Sequence, residues 1–202
     1  MKSEFGVLAS HRQIAEWRMI QILFLVLPIY LGDFAQVEPL TQSNFSSIGN
    51  RQEYRTSFIL WAILNSGFLT IYPQHLLEQV SRRSLLARTL LDMSCIALLI
   101  TVLLPFLPDN FPMLSRLHSV FAKITPVFLW SGMFVLVWQL TKWVSMDLQK
   151  FLAYLVIIGI AAVFLICEFG IGTSLVEVFA CMALEIFLYS LHNEMIKMRL
   201  GL

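Results

Sequence analysis

One carboxyl group stands in the middle of the last hydrophobic segment of this 202-residue chain. Glu185 lies within Ser174–Leu191, where its neighbours are almost all apolar. A charged side chain such as Asp at the centre of a bilayer costs roughly 2.5–3.5 kcal/mol on insertion scales, so it is rarely left unpaired. Two interpretations stay open. Glu185 is either a protonated acid that hydrogen-bonds a neighbouring helix, or a site for a proton, an ion or a polar headgroup.

The polar residues of this segment share one helical face. At 100° per residue, these side chains fall within about 80° of one another, which predicts that they face the bundle interior or a cavity: Ser174, Glu177, Cys181, Glu185 and His192. Ser174 and Glu177 have the spacing of a capping box, which predicts that Glu177 only caps its own helix. No capping motif explains Glu185 in this way.

Glu185 has few candidate partners inside the membrane. Asp92 follows Arg88 by four residues, so the two predict an ion pair near the interface rather than a catalytic acid. Asn65 lies in a polar stretch that is typical of helix–helix contacts, and its depth suits a hydrogen bond to Glu185. We therefore predict an intramembrane polar set of Glu185, Asn65, Asp92 and His192.

A second set of candidate residues is basic and lies on the predicted external side. It comprises Arg51, Arg55, Arg116, His118 and Lys123. Arginine binds phosphate through a planar, bidentate pair of donors, so this set predicts a collar for a lipid headgroup or a partner protein. The alternative is a rim of solvated or ion-paired side chains.

Sequence signatures of common catalytic and metal sites are missing. The chain has no HExxH, GxSxG or Walker A motif, and its four histidines are spread over different segments. Its three cysteines show no metal-ligand spacing. We therefore predict no catalytic residue, no metal site and no cofactor.

The composition is that of an integral membrane protein. Hydrophobic residues make up 58% of the chain and charged residues only 13%, where about 25% is usual for globular proteins. The net charge of +1 gives no reason to expect nucleic acid as a partner.

Six hydrophobic segments reach or approach the length of about 20 residues that crosses a bilayer. They predict an all-α fold, a single domain over 1–202 with spans at 17–31, 58–77, 86–104, 124–140, 151–169 and 174–191. With a cytoplasmic N-terminus, ten lysines and arginines lie inside and four outside. The positive-inside rule therefore predicts that both termini are cytoplasmic.

The order of several short motifs suggests a family. Ser46-Ser47-Ile48-Gly49-Asn50 precedes the second span, Phe111-Pro112 and Arg116-Leu117-His118 lie in the next external segment, and Glu177 begins the sixth span. This arrangement resembles the six-span superfamily of damage-regulated autophagy modulators (DRAM proteins), and its bacterial branch most. The resemblance implies a six-helix bundle with both termini inside, in a bacterial cell membrane. It carries over no catalytic residue, because the bacterial members have no settled activity.

Our leading prediction is a non-enzymatic, multi-pass membrane protein that binds lipid or a membrane-protein partner and organises or regulates it. The external basic set would contact a headgroup, and Glu185 would order the interior. The alternatives are a small proton-coupled transporter that uses Glu185 and an intramembrane lipid-modifying enzyme.

Overall fold

A computed structural model describes residues 21–78, 84–170 and 172–200 of the chain. This described part contains helices and no strand. In chain order they are α1 (Gln21–Ala35), α2 (Phe45–Gly49), α3 (Arg55–Glu78), α4 (Leu85–Leu103), α5 (Pro112–Trp143), α6 (Gln149–Phe169) and α7 (Ser174–Leu200), with a 3₁₀ turn at Met146–Leu148.

The helices form an all-α bundle, as the sequence predicts. Five of them, α3 to α7, are long and apolar enough to cross a membrane, and α1 is a shorter apolar helix. The protein is therefore a multi-pass integral membrane protein. The first predicted span, 17–31, begins outside the described residues, so the sixth crossing stays a prediction.

Local sequence explains where several helices begin and end. The side chain of Ser84 accepts a hydrogen bond from the backbone N–H of Ala87 and so caps α4. That helix ends at Leu103, and the extended backbone of its C-cap Leu104 (ψ 133°) suits the residue before Pro105. Between α6 and α7 the chain turns through Gly170 and Gly172, whose φ angles of 89° and 82° favour glycine.

Two segments that the sequence predicts as external connections are helical. Residues 112–123 form the first turns of α5, which begins with Pro112 in the first helical turn. At 1.5 Å per residue, α5 is about 48 Å long, against about 30 Å for the hydrocarbon core. The connection 36–54 contains α2, where Asn44 and Ser47 form a reciprocal capping box.

The core contains two clusters of buried side chains. The larger one joins α3, α4, α5, α6 and α7 with Leu27 of α1. The smaller one packs α2 between the end of α1 and the start of α3, with Phe45 and Ile48 of α2 almost fully buried. Phe45 meets Phe34 and Trp61 edge to face, with ring centroids 5.2 and 5.1 Å apart.

Gly49 lets α2 approach α3 closely. A Cβ atom at this position would lie 2.3 Å from the ring of Phe58, which is too close for any side chain. The connection between α1 and α3, residues 36–54, therefore packs tightly over this end of the bundle, and we call it the plug.

Candidate functional site

The α2 end of the bundle comprises residues 36–54, the end of α4 and the starts of α3, α5 and α7. The charge pattern predicts that this end is external. Here the first N–H groups of α7 find acceptors in the plug: the N–H of Ser174 donates to the carbonyl of Ser43 at 2.7 Å, and that of Leu175 to Leu40 at 3.0 Å. These bonds fix the plug on α7, because helix N-termini otherwise leave such donors unpaired.

Glu177 also binds the plug. Its Oε2 accepts a hydrogen bond from the backbone N–H of Phe45, the first residue of α2, at 2.8 Å. The predicted capping box of Ser174 and Glu177 is therefore wrong: the N–H of Glu177 donates to the carbonyl of Thr173, and the Ser174 hydroxyl lies 3.3 Å from that of Ser43. Ser174 and Glu177 thus contact the plug and not each other.

Two residues of the predicted basic set bind the C-terminal carbonyls of α4. Arg55 Nη2 donates to the carbonyls of Val102 at 2.7 Å and Leu103 at 3.3 Å. His118 Nδ1 lies 3.1 Å from the carbonyl of Leu104. The last carbonyls of a helix have no intrahelical partner and carry partial negative charge, so cationic and N–H donors are favoured there.

The other ring nitrogen of His118 contacts the plug. Nε2 lies 2.8 Å from Oγ of Ser46 on α2, and the histidine side chain is buried. A carbonyl can only accept, so Nδ1 carries the proton that binds Leu104. In the neutral imidazole Nε2 is then the acceptor, and the Ser46 hydroxyl donates to it.

Asn50 and the other members of the predicted basic set also lie at this end of the bundle. Asn50 exchanges two hydrogen bonds with the backbone of Phe106, one at 2.7 Å and one at 3.2 Å. Of the predicted basic set, Arg51 forms an ion pair with Glu38, whereas Arg116 and Lys123 have exposed side chains on α5. The predicted collar is thus divided between residues that bind the end of α4 and an exposed rim.

A groove of about 330 Å³ runs between α1 and α7, away from the α2 end. Its walls are mainly aromatic and aliphatic. It is lined by Gln21, Phe24, Leu25, Pro28, Met182, Glu185, Ile186 and Tyr189. The Phe24 and Tyr189 rings meet edge to face across it, with centroids 5.1 Å apart.

Glu185 is the acidic group of this groove. Only 2% of the residue is exposed, and its Oε2 has no hydrogen-bond partner. The predicted partner Asn65 is nearby in the fold, but its amide donates to the Sγ atom of Cys181, one turn before Glu185, at 3.1 Å. The Asn65 Oδ1 atom also lacks a hydrogen-bond partner. Glu185 and Asn65 therefore each keep a buried side-chain oxygen without a hydrogen-bond partner.

The other two members of the predicted intramembrane set lie elsewhere. Asp92 forms the predicted ion pair with Arg88 at 3.8 Å and accepts a hydrogen bond from Gln74 at 2.7 Å. His192 is buried, with its ring 5.7 Å from that of Tyr72. The structure does not join Asp92 to Glu185 in one site.

Sequence reasoning missed Ser46 and the groove. Ser46 and His118 are 72 residues apart, and only the motif Ser46-Ser47-Ile48-Gly49-Asn50 distinguished Ser46 from other polar residues. The α1 wall of the groove consists of ordinary membrane-span residues, so no pattern in the sequence indicated a cavity.

Comparison with family models, curated proteins and solved structures finds no match to this chain. The helical fold and its five long apolar helices define the class of protein, an all-α multi-pass integral membrane protein.

Proposed function

We propose that this membrane protein binds a lipid-like ligand in the groove between α1 and α7, with Glu185 as the polar contact. The observation that carries this proposal is the buried Glu185 carboxyl, whose Oε2 lacks a donor at an otherwise apolar groove. Ligand sites are commonly apolar clefts with a few placed polar groups, and this groove has that composition.

The entrance to the groove lies on the apolar surface of the bundle. Leu25 and Ile186, on opposite walls, are each 63% exposed, and Ile22 and Ile29 of α1 are exposed beside them. In a bilayer such side chains face the acyl chains. The ligand therefore enters from the membrane, which favours an elongated apolar molecule over a water-soluble one.

The polar part of the ligand must satisfy Glu185. A buried polar group without a partner costs about 1–3 kcal/mol, and an ionised one costs more. An ionised carboxylate only accepts hydrogen bonds, whereas a protonated carboxyl group also donates one, so a ligand hydroxyl matches Glu185 in either state and an ammonium matches the ionised state. We therefore expect an amphiphile whose donor group reaches Glu185.

This proposal moves the main lipid contact away from the predicted basic collar. Arg55 and His118 hold the end of α4, so they are not free donors for a phosphate. Arg51, Arg116 and Lys123 keep exposed positions at the α2 end and stay candidates for headgroup contacts at the surface.

A groove-filling substitution tests the proposal. The protein is purified in detergent from its native membrane, and its bound lipids are quantified by mass spectrometry. Ile186→Trp places a large ring in the groove, whereas Ile160→Trp adds the same ring to the exposed face of α6. We expect one lipid class to co-purify at near-stoichiometric level with the wild type and with Ile160→Trp. It should be lost in Ile186→Trp.

Equal lipid content in all three proteins would contradict the groove as the site. Absence of a specific lipid from the wild type would contradict the proposal as a whole. Thermal melting of each variant, measured by intrinsic fluorescence, controls for folding.

A second candidate function is proton-coupled transport. One observation favours it: Glu177, Cys181 and Glu185 follow one another at one-turn spacing along α7, with Asn65 bound beside them. In this function Glu185 would be the titrating group. Reconstituted liposomes carrying a pH-sensitive dye should show solute-dependent proton uptake, and this uptake should vanish in Glu185→Gln. Unchanged uptake in that variant would exclude Glu185 as the coupling group.

A further inference from the structure

We infer that Ser46 is a nucleophile activated by His118, and that the pair acts on a carboxylic ester of a membrane lipid. This activity is separate from ligand binding at Glu185, because the pair lies at the α2 end. It rests on the geometry of three residues, Ser46, His118 and Leu104, which belong to three different segments.

A chain of hydrogen bonds links Ser46, His118 and Leu104. Ser46 Oγ lies 2.8 Å from His118 Nε2, within the 2.6–3.2 Å that nucleophile and base require. On the far side, Nδ1 lies 3.1 Å from the carbonyl oxygen of Leu104. That carbonyl holds the imidazole in the tautomer whose Nε2 is free to take a proton, which is the role of the third group in a catalytic triad.

Ser46 and His118 are both held in place by packing and hydrogen bonds. His118 is 4% exposed, and its ring lies 5.2 Å from that of Phe106. Ser46 is held on α2, which is fixed by the capping box of Asn44 and Ser47 and by Glu177 on α7. Catalysis gains from such preorganisation, since the reacting groups need no further ordering.

The position of Ser46 and His118 relative to the bilayer follows from the predicted span 124–140. His118 lies in the second turn of α5, in the part of this long helix that precedes the predicted span 124–140. Met113, Leu117 and Val120 are exposed apolar side chains of the same turns, 82%, 43% and 50% exposed. From the predicted span we place the pair at the border between hydrocarbon and polar headgroups, the depth at which lipid esters lie. Ser46 itself is partly exposed.

The reaction needs no further reagent than water. The Ser46 oxygen forms a bond to the ester carbonyl carbon, and its proton passes to Nε2 of His118. When the ester C–O bond breaks, His118 gives that proton to the departing alkoxide, which leaves as an alcohol. Water then attacks the acyl-serine, with His118 again as base, and releases the fatty acid while Ser46 regains its proton.

A covalent probe tests the inference on the intact protein. Membranes containing the wild type are treated with an alkyl fluorophosphonate, and the modified peptide is identified by mass spectrometry. We expect phosphonylation of Ser46. His118→Gln keeps a hydrogen-bonding side chain but no base, so labelling should slow by about 100-fold or more. Ser119→Ala, one residue from His118, should label at the wild-type rate.

Three results would overturn the inference. They are a folded wild type that is not modified at Ser46, modification on another residue instead, and equal labelling rates in the wild type and His118→Gln. Peptide mapping of the wild type needs no variant to fold, so the result does not depend on the stability of His118→Gln. If the pair only ties α2 to α5, Ser46→Ala should lower the melting temperature while the wild type stays unlabelled.

Discussion

The α2 end and the groove between α1 and α7 differ in how their charged side chains are paired. At the α2 end, Glu177 and Arg55 each bind backbone groups of another segment. In the groove, the Glu185 carboxyl keeps an oxygen with no donor, although the residue is almost fully buried. The same residue type, glutamate on α7, thus has a structural partner at one depth and none at the other.

The difference separates structural roles from binding roles. A polar group that satisfies a backbone donor stabilises the fold, and its loss leaves the partner unpaired at a cost of about 1–3 kcal/mol. A buried polar group without a partner destabilises the protein by itself. Its retention then needs another reason, and binding of a ligand supplies one. The following substitutions test this distinction.

The largest loss of stability is expected at Gly49. Gly49→Ala would place a Cβ atom 2.3 Å from Phe58, which forces α2 away from α3. Overpacking of this kind typically costs about 1–3 kcal/mol, and more where backbone must move. The melting temperature in detergent should fall by several degrees. Gly32→Ala is the matched control, since no atom lies within 4 Å of its added Cβ. A Gly49→Ala protein as stable as this control would contradict the packing of the plug.

Loss of the Glu177 side chain should also destabilise the protein. Glu177→Met keeps the length of the side chain but leaves the N–H of Phe45 without its acceptor. We expect a loss of about 1–3 kcal/mol in the free energy of unfolding. Glu177→Gln retains an acceptor oxygen and should lose less. A thermal melt of the three proteins checks this order, and equal melting temperatures would show that the bond contributes nothing.

The corresponding substitution at Glu185 should raise the free energy of unfolding, whereas the substitution at Glu177 lowers it. Glu185→Met removes an unpartnered oxygen from an apolar site and retains the volume, so the ligand-free protein should become more stable by about 1 kcal/mol. The comparison is made after delipidation, by thermal melting beside Glu177→Met. Destabilisation of the same size in both variants would mean that Glu185 has a structural partner.

The smallest effect is expected at the exposed rim. Arg51 pairs with Glu38 at the surface, with the arginine side chain half exposed. Exposed ion pairs contribute about 0–1 kcal/mol and are screened by salt. Arg51→Gln should therefore change the melting temperature little, and less at high salt than at low salt. A loss as large as that of Glu177→Met would place Arg51 among the structural contacts.

Sequence patterns predicted the helices better than the contacts between them. Composition and segment length identified the all-α membrane fold, because both are local properties of the chain. The ion pair of Arg88 and Asp92 also followed from local spacing. The role of Glu177 did not, since its partner Phe45 is 132 residues away. Such pairings depend on how helices pack, which one sequence does not reveal.

A density map of the protein in lipid nanodiscs would test the assignment of Glu185 most directly. The proposal predicts an elongated density in the groove between α1 and α7, with its polar end at hydrogen-bond distance, about 3 Å, from the Glu185 carboxyl. A groove closed by side chains, with Glu185 bound to a protein donor, would contradict it.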